Sequence, residues 1–229
     1  MKGSVLLEHP QMHDLIVSNL GLRFSMDLRF VSHGIGSNTD RALVDDLIEY
    51  ILKGNVHKRP AATWPLAKMF GKDLFNHPSF VERVAPILDG SDKDCTPDVQ
   101  ANVLVNLGNI YPPNTKRKLL VVSSELSVLE CYAKAAAIIP TLARAWHNVG
   151  WAMIPKIGPD NVPKTIDIGG TSYTAVQALA KCLELQPDYV RAWATLGLAL
   201  DNAGKVKIHG KEYDRAAAFK QAADLGKQQ

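Results

Sequence analysis

Few side chains in this 229-residue sequence have the type and spacing that chemistry requires. His9 and His13 are four residues apart, as two metal-binding imidazoles on one helix face can be, but Pro10 lies between them and no HExxH glutamate is present. The segment 33–37 reads HGIGS, and it lacks the preceding strand and the later glycine of a nucleotide-binding loop, so we interpret it as a turn. These patterns predict no catalytic residue, no metal site and no cofactor.

The cysteines are interpreted as packing residues. Cys95, Cys131 and Cys182 are odd in number and form no CxxC pair, which favours a reducing compartment over a disulfide scaffold. Cys131 and Cys182 occupy apolar positions of the helical patterns described below, so we expect them in the core rather than as nucleophiles.

Composition and charge narrow the class of protein. Hydrophobic residues make up 46% and charged residues 21%, as in folded domains, and the formal net charge is only +3. That charge argues against nucleic acid or an anionic membrane as an obligate partner.

The basic cluster Lys116–Lys118 is interpreted as a solvated loop, with RNA binding as a minor alternative. The sequence shows neither a signal-peptide apolar run nor an apolar stretch of bilayer length, so a cytoplasmic location and no membrane partner are expected.

Internal repetition is the strongest feature of the sequence. Residues 179–197 match residues 132–150 at an offset of 47, with Ala-Lys, Pro, Arg-Ala-Trp and the closing Gly in register. Residues 206–225 match 166–185 at an offset of 40, and a fainter copy at 103–108 precedes 145–150 by 42. We therefore expect three units with insertions.

Each unit predicts two helices. Trp193, Leu196, Gly197 and Leu200 follow the i, i+3, i+4, i+7 spacing of one helical face, and the corresponding residues around Trp146 and Leu104 do the same. Because glycine inside a helix costs about 1 kcal/mol relative to alanine, its return at one position predicts close helix–helix approach. A second helix follows in each unit, and Pro140 and Pro187 end it in the first two.

The insertions also resemble one another. Segments around Leu119 and Val121, around Ile166 and Ile168, and around Val206 and Ile208 alternate with period two and precede a polar bend. They predict short extended arms between the two helices of each unit, which pair edge to edge between units or else form plain loops.

The pattern Trp-x2-Leu-Gly followed by Ala-x3-Leu and Pro, best seen from Pro187 through Trp193 and Gly197, resembles the tetratricopeptide repeat (TPR) family. The resemblance covers about residues 98–226 and implies an all-α fold, a right-handed superhelix of antiparallel helix pairs, decorated here by the extended arms. We divide the chain into a helical N-terminal region, 1–94, and a repeat array of about three units, 95–229. The first region contains four predicted helices, at residues 11–22, 62–75 and 79–89 and after a start at Thr39 and Asp40. It is therefore a degenerate extension of the array or, alternatively, a cap.

In that family the first helix of each repeat lines a concave groove, and the resemblance assigns groove positions to this chain. The predicted binding residues are Asn102, Asn106, Asn109, Arg144, His147, Asn148, Trp151, Arg191 and Thr195, and Val105, Ala194 and Leu198 occupy further groove positions. Guanidinium and amide donors suit a carboxylate or the backbone of a peptide.

The resemblance thus implies a non-enzymatic scaffold that binds a peptide or a partner protein. One alternative is a co-chaperone or complex-assembly factor. Some family members clamp the acidic tail of a chaperone with five groove residues. At the corresponding positions here, Asn109 and Asn148 match and Arg191 preserves the charge, whereas Val105 and Thr195 do not match. Another alternative is an enzyme with an unrecognised active site in residues 1–94 and repeats for recruitment. The sequence names neither the partner nor the oligomeric state.

Overall fold

The structure, a computed structural model, describes residues 48, 49, 51–53, 78–110, 119–121, 124–154 and 163–227. Residues 48, 49 and 51–53 are helical, as the predicted helix after Thr39 and Asp40 requires. The predicted helices 11–22 and 62–75, the histidines His9, His13 and His33, and the cluster Lys116–Lys118 lie outside the described residues.

Helices dominate the described part of the chain. They are α1 (Pro78–Arg83), α2 (Ala85–Asp89), α3 (Pro97–Asn109), α4 (Val128–Ile138), α5 (Ala143–Ala152), α6 (Ala175–Leu185), α7 (Val190–Ala199) and α8 (Arg215–Gly226). The strands are β1 (Leu119–Val121), β2 (Ser124–Leu126), β3 (Ile166–Ile168), β4 (Thr171–Tyr173), β5 (Lys205–Ile208) and β6 (Lys211–Asp214). The fold is therefore mostly helical with small antiparallel sheets, so the prediction of an all-α fold with short extended arms is confirmed in part.

One order of elements occurs three times: a first helix, a two-stranded hairpin and a second helix. The first helices are α3, α5 and α7, and each packs against its own second helix, α4, α6 or α8. Between units, α4 packs on α5, α6 packs on α7, and α5 also contacts α7. The predicted helix pairs with inserted arms are present.

The arms do not pair edge to edge among the described residues. Each forms its own antiparallel hairpin, with Leu119 opposite Leu126, Ile166 opposite Tyr173 and Val206 opposite Tyr213. The reason lies in the turns. Gly169 and Gly170 have φ of 61° and 84°, and His209 and Gly210 have φ of 48° and 80°. Two successive positive φ values form the turn whose twist matches a hairpin, so β3 pairs locally with β4 and β5 pairs locally with β6.

The last hairpin residue leads directly into the cap of the second helix. The Ser127 hydroxyl accepts the Glu130 N–H and the Glu130 carboxylate accepts the Ser127 N–H, and Thr174 and Gln177 repeat this capping box in the next unit. In the third unit the carboxylate of Asp214 accepts the N–H of Ala217. Such caps satisfy amide groups that a helix start otherwise leaves unpaired.

Each glycine of the first helices faces a large side chain of the second helix. A Cβ added at Gly108 would lie 2.5 Å from the Tyr132 ring, one at Gly150 2.5 Å from Cγ of Leu179, and one at Gly197 2.8 Å from the Phe219 ring. The close approach predicted from the repeated glycine is confirmed in all three units.

Trp146 and Trp193 each join a unit to its hairpin and to the preceding turn. The indole N–H of Trp146 donates to the Pro140 carbonyl at 2.8 Å, and that of Trp193 donates to Pro187 at 2.7 Å. The rings of Trp146 and Trp193 contact Tyr173 and Tyr213 of their own hairpins, with centroids 4.8 Å and 4.6 Å apart. Strands β3 and β5 in turn pack on the second helix of the preceding unit.

Among the described residues, one apolar core runs from Ile48 and Ile51, through Phe80 and Val84 of the N-terminal region, to Ala222 of α8. The predicted helix 79–89 is interrupted at Val84. A continuous helix would need a backbone hydrogen bond from the N–H of residue 86, and Pro86 has no N–H to donate. Within the described ranges, no helix has both the length and the apolarity needed to cross a bilayer.

Candidate functional site

Side chains of the three first helices line up at the same helical spacing. Taken at i, i+4 and i+7, they are Asn102, Asn106 and Asn109 on α3, Arg144, Asn148 and Trp151 on α5, and Arg191, Thr195 and Leu198 on α7. Residues at this spacing share one face of a helix. We call these nine residues the first-helix face.

Hydrogen bonds join the first-helix face of α3 to that of α5. The Arg144 guanidinium donates to Oδ1 of Asn102 at 2.5 Å, and the Asn148 amide donates to Oδ1 of Asn109 at 3.1 Å. The Tyr132 hydroxyl donates to the same oxygen of Asn109 at 3.0 Å. These bonds hold predicted binding residues from two units in a defined arrangement.

His147 connects α5 to α7 from a buried position, with 8% of its surface exposed. Its Nδ1 lies 3.1 Å from Oδ1 of Asn148, and its Nε2 lies 3.2 Å from the Thr195 hydroxyl oxygen. The Thr195 hydroxyl also lies 2.7 Å from the Arg191 carbonyl, so its one proton has two acceptors. The pKa of His147 is lowered from 6.5 to about 4, mainly by burial and to a smaller extent by nearby Arg191, against the opposing effect of the Asn148 hydrogen bond. The imidazole is therefore neutral at pH 7.

Asn106 faces the N-terminal region instead. It is buried, and its amide donates to the Ile51 carbonyl at 3.0 Å. Its position on α3 corresponds to that of Asn148 on α5, which reaches back to α3 in the same way. Both predicted alternatives for residues 1–94, an extension of the array and a cap, place a helix ahead of α3.

Two arginines and a tyrosine come together where α5 and α7 begin. Arg144 and Arg191 are the second residues of these helices, and Tyr189 precedes α7. Burial raises the pKa of the Tyr189 hydroxyl and Cys182 adds to this, while both guanidinium groups lie near enough to oppose the rise. The Tyr189 ring packs on His147 with centroids 5.0 Å apart. Sequence reasoning missed Tyr189, although its place two residues before Arg191 was a usable signal.

The remaining predicted residues differ in exposure. Arg191 is exposed and forms no ion pair with a described residue, while Trp151 is half-buried. Leu198 is 51% exposed. Val105 is fully buried, so this groove position belongs to the core, and Ala194 is half-buried. The exposed part of the first-helix face thus combines cationic and apolar side chains.

The cysteines pack as predicted. Cys131 and Cys182 are fully buried, and burial raises the pKa of both thiols to about 12, so they stay protonated at neutral pH. Cys95 is half-buried. Across the described ranges, no cluster of three His, Cys, Asp or Glu side chains could hold a metal ion.

Comparisons of the chain with protein-family models, with curated proteins and with solved structures find no match in any of the three.

Proposed function

We propose that this protein is a non-enzymatic scaffold that binds a peptide or partner protein on the first-helix face. In this proposal the units stack as a TPR-like right-handed superhelix and the first helices line its concave side. The supporting observation is the set of hydrogen bonds that links Asn102 to Arg144, Asn109 to Asn148 and His147 to Thr195 across three units. Since these bonds already order the side chains, a partner loses little binding free energy to ordering the receptor.

The exposed part of the face supports the same proposal. Buried residues such as His147, Thr195 and Asn106 make internal bonds, whereas Arg191 and Leu198 keep most of their contact capacity. Exposed arginine and large apolar side chains together are typical of protein-binding surfaces. Asn109 and Asn148, which match the chaperone-tail clamp, are hydrogen-bonded to each other. No observation therefore favours a chaperone tail over another partner.

A comparison of two charge-reversed variants of the full chain tests this proposal. In the first, Arg191→Glu and Leu198→Glu alter the first-helix face. In the second, Lys134→Glu and Val81→Glu place the same changes on exposed residues of α4 and α1. Affinity purification identifies candidate partners, and each is then purified and titrated against both variants by calorimetry. We expect wild type and the second variant to bind with equal affinity, and the first to lose at least tenfold. Equal binding by both variants would move the binding surface elsewhere.

A further inference from the structure

The hairpins of the second and third units reach back to the unit before them. Numbered in chain order, the second unit contains α5, β3, β4 and α6, and the third contains α7, β5, β6 and α8. Strand β3 packs on α4 of the first unit, and β5 packs on α6 of the second. The helices of successive units also stack directly, α4 on α5 and α6 on α7. Each of these two hairpins therefore adds a second line of contact between successive units.

One face of the β5–β6 hairpin is buried and the other meets solvent. Val206 pairs with Tyr213, and Ile208, two residues along β5, lies on the same face. Ile208 is buried, and Val206 and Tyr213 pack against the apolar core. Lys205 and Lys207 alternate with them on β5 and are exposed. Because β5 packs on α6, the apolar face is the side that the preceding unit covers.

The same face also contacts a tryptophan that is bonded to the preceding unit. The Tyr213 ring lies against Trp193 with centroids 4.6 Å apart. The indole N–H of Trp193 donates at 2.7 Å to the carbonyl of Pro187, just beyond the end of α6. Contacts thus run from α6 to Trp193, from Trp193 to the hairpin, and from the hairpin back to α6. We call this closed ring of contacts a brace.

The second unit repeats the brace against the first. The indole N–H of Trp146 donates to the Pro140 carbonyl beyond the end of α4, and the Tyr173 ring lies 4.8 Å from Trp146 between centroids. Ile168 is buried on the face that it shares with Tyr173 across the hairpin, and β3 packs on α4. The same three contacts therefore recur between different pairs of units.

In the first unit the two aromatic positions of the brace change together. By the repeat offsets, Leu104 corresponds to Trp146 and Leu126 corresponds to Tyr173. Both leucines are buried. An aromatic pair in two units and an aliphatic pair in the third is what positions that pack as a pair require.

A hydrogen bond on the first-helix side needs the angle between units to be restrained. Nε2 of His147 on α5 lies 3.2 Å from the Thr195 hydroxyl oxygen on α7. Such a bond weakens steeply when its atoms separate or its angle bends, so it persists only if the two units rotate little against each other. Two bodies in contact along one line rotate about that line. The brace, which holds α6 as well, opposes this rotation.

We propose that the hairpins β3–β4 and β5–β6 are braces that fix the angle between successive units and so hold the first helices α3, α5 and α7 in one relative orientation. The segments inserted between the two helices of these units thereby have a mechanical role. Removal of the buried face of one hairpin should loosen the contact between that unit and the preceding one, while both units stay folded. This inference involves no partner and is independent of the proposed function.

Distances between spin labels on the full chain test the inference. Labels at the exposed residues Glu184 and Ala223 report on the contact between the second and third units, which we call the second joint. Labels at Ala137 and Glu184 report on the first joint, between the first and second units, and labels at Leu198 and Ala223 report on the third unit alone. Each label is attached through a genetically encoded keto side chain, which leaves the cysteines unmodified. Double electron–electron resonance gives the width of each distance distribution.

We expect Ile208→Ala to increase the width at the second joint about twofold, because the lost side chain loosens only the brace that contains it. The widths at the first joint and within the third unit should not change. Tyr213→Leu removes the ring contact with Trp193 and should broaden the same joint to a smaller extent. Ile168→Ala is the matched control variant, and it should broaden the first joint alone.

Three results would overturn the inference. Unchanged widths at both joints would show that the hairpins do not restrain the units. Equal broadening of both joints by one variant would show a general loss of stability. Broadening within the third unit as large as that at the second joint would show that the hairpin supports only its own unit. If Ile208→Ala does not fold, Tyr213→Leu decides by the same criteria. The proposed function is tested separately, by the variants of Arg191 and Leu198.

Discussion

Residue by residue, the packing depends on positions where the smallest side chain meets a large one. Gly150 is the tightest of these, because a Cβ there would lie 2.5 Å from Cγ of Leu179 and 3.0 Å from the carbonyl oxygen of Ala175. A side chain can turn away, but a helix backbone cannot do so without moving the whole second helix. Gly197 is more tolerant, since the atoms nearest its added Cβ belong to the side chain of half-buried Phe219 and not to a backbone.

We expect Gly150→Ala to lower the free energy of unfolding by about 1–3 kcal/mol, because overpacking outweighs the gain in helix propensity of about 1 kcal/mol. Gly226→Ala is the matched control: it also lies in a helix, but its Cβ would meet nothing closer than Val190 at 3.9 Å. Urea unfolding followed by circular dichroism gives both values. A Gly150→Ala protein as stable as wild type would show that the two helices are not in close contact.

His147 makes stability depend on pH. Its folded pKa of about 4 is below its ordinary 6.5, so the unfolded chain binds a proton that the folded chain does not. Its contribution is therefore complete above pH 6.5 and is lost as pH falls from there to about 4. Between pH 7 and pH 5 the loss should be roughly 2 kcal/mol.

The measurement compares wild type with His147→Gln by urea unfolding at pH 7 and pH 5. Other titrating groups are common to both proteins, so the difference isolates this imidazole. We expect wild type to lose roughly 2 kcal/mol more than the variant over this interval. Parallel losses in the two proteins would mean that His147 is solvated or already charged.

At the scale of elements, the hairpins β3–β4 and β5–β6 are each held by their turn and by one aromatic contact. Ile168 and Ile208 point into the core, and Tyr173 and Tyr213 lean on the tryptophan of their own unit. The turn residues Gly169 and His209 occupy the same position, and His209 already shows that a side chain is accepted there at φ of 48°.

We therefore expect Gly169→Asn to be neutral or to stabilise the fold by about 0.5 kcal/mol, since asparagine tolerates positive φ and loses less freedom on folding than glycine. Gly169→Val should instead cost about 1–2 kcal/mol, because a branched side chain opposes positive φ. The space around this residue is open, so the two variants differ only in backbone preference. Differential scanning calorimetry distinguishes them, and equal melting temperatures would argue against the turn.

Over the whole molecule, the last helix differs from its counterparts on the side that a further unit would cover. Ala133 of α4 and Ala180 of α6 are buried, whereas Lys220, at the corresponding position of α8, is exposed. Ala223, on the same side of α8, is exposed as well. The Lys220 amine donates to the Asp224 carboxylate at 2.8 Å. A polar outer face is typical of the terminal element of a repeat array.

Replacing Lys220 and Ala223 together by leucine should restore an apolar face and produce concentration-dependent association, measured by sedimentation velocity. Lys134 and Ala137, also exposed and three residues apart on α4, provide the matched double variant. Association by the Lys220 and Ala223 variant alone is expected. If both variants stay monodisperse to the same extent, or both associate, the end of α8 has no special role.

In the three repeat units, the sequence alone determined which residues form helices and where the two helices of a unit meet. Local chemistry is sufficient for this, because apolar spacing, a repeated glycine and the prolines after α4 and α6 act within a few residues of where they stand. The hairpins were predicted only as extended arms, since a strand pattern of three or four residues does not state which strand is its partner. The turn at Gly169 and Gly170 decided that by its backbone geometry.

Only the tertiary structure decided which polar residues of the first helices are internal and which are exposed. Asn106 and Thr195 belong to the same first-helix face as Arg191 and Leu198, and His147 lies next to that face on α5. Asn106, Thr195 and His147 are buried because a neighbouring helix covers them. Burial of this kind depends on the distance between helices that are tens of residues apart in the chain. A periodic pattern sets the direction of a side chain from its own helix, whereas the neighbouring helix determines whether that side chain meets solvent.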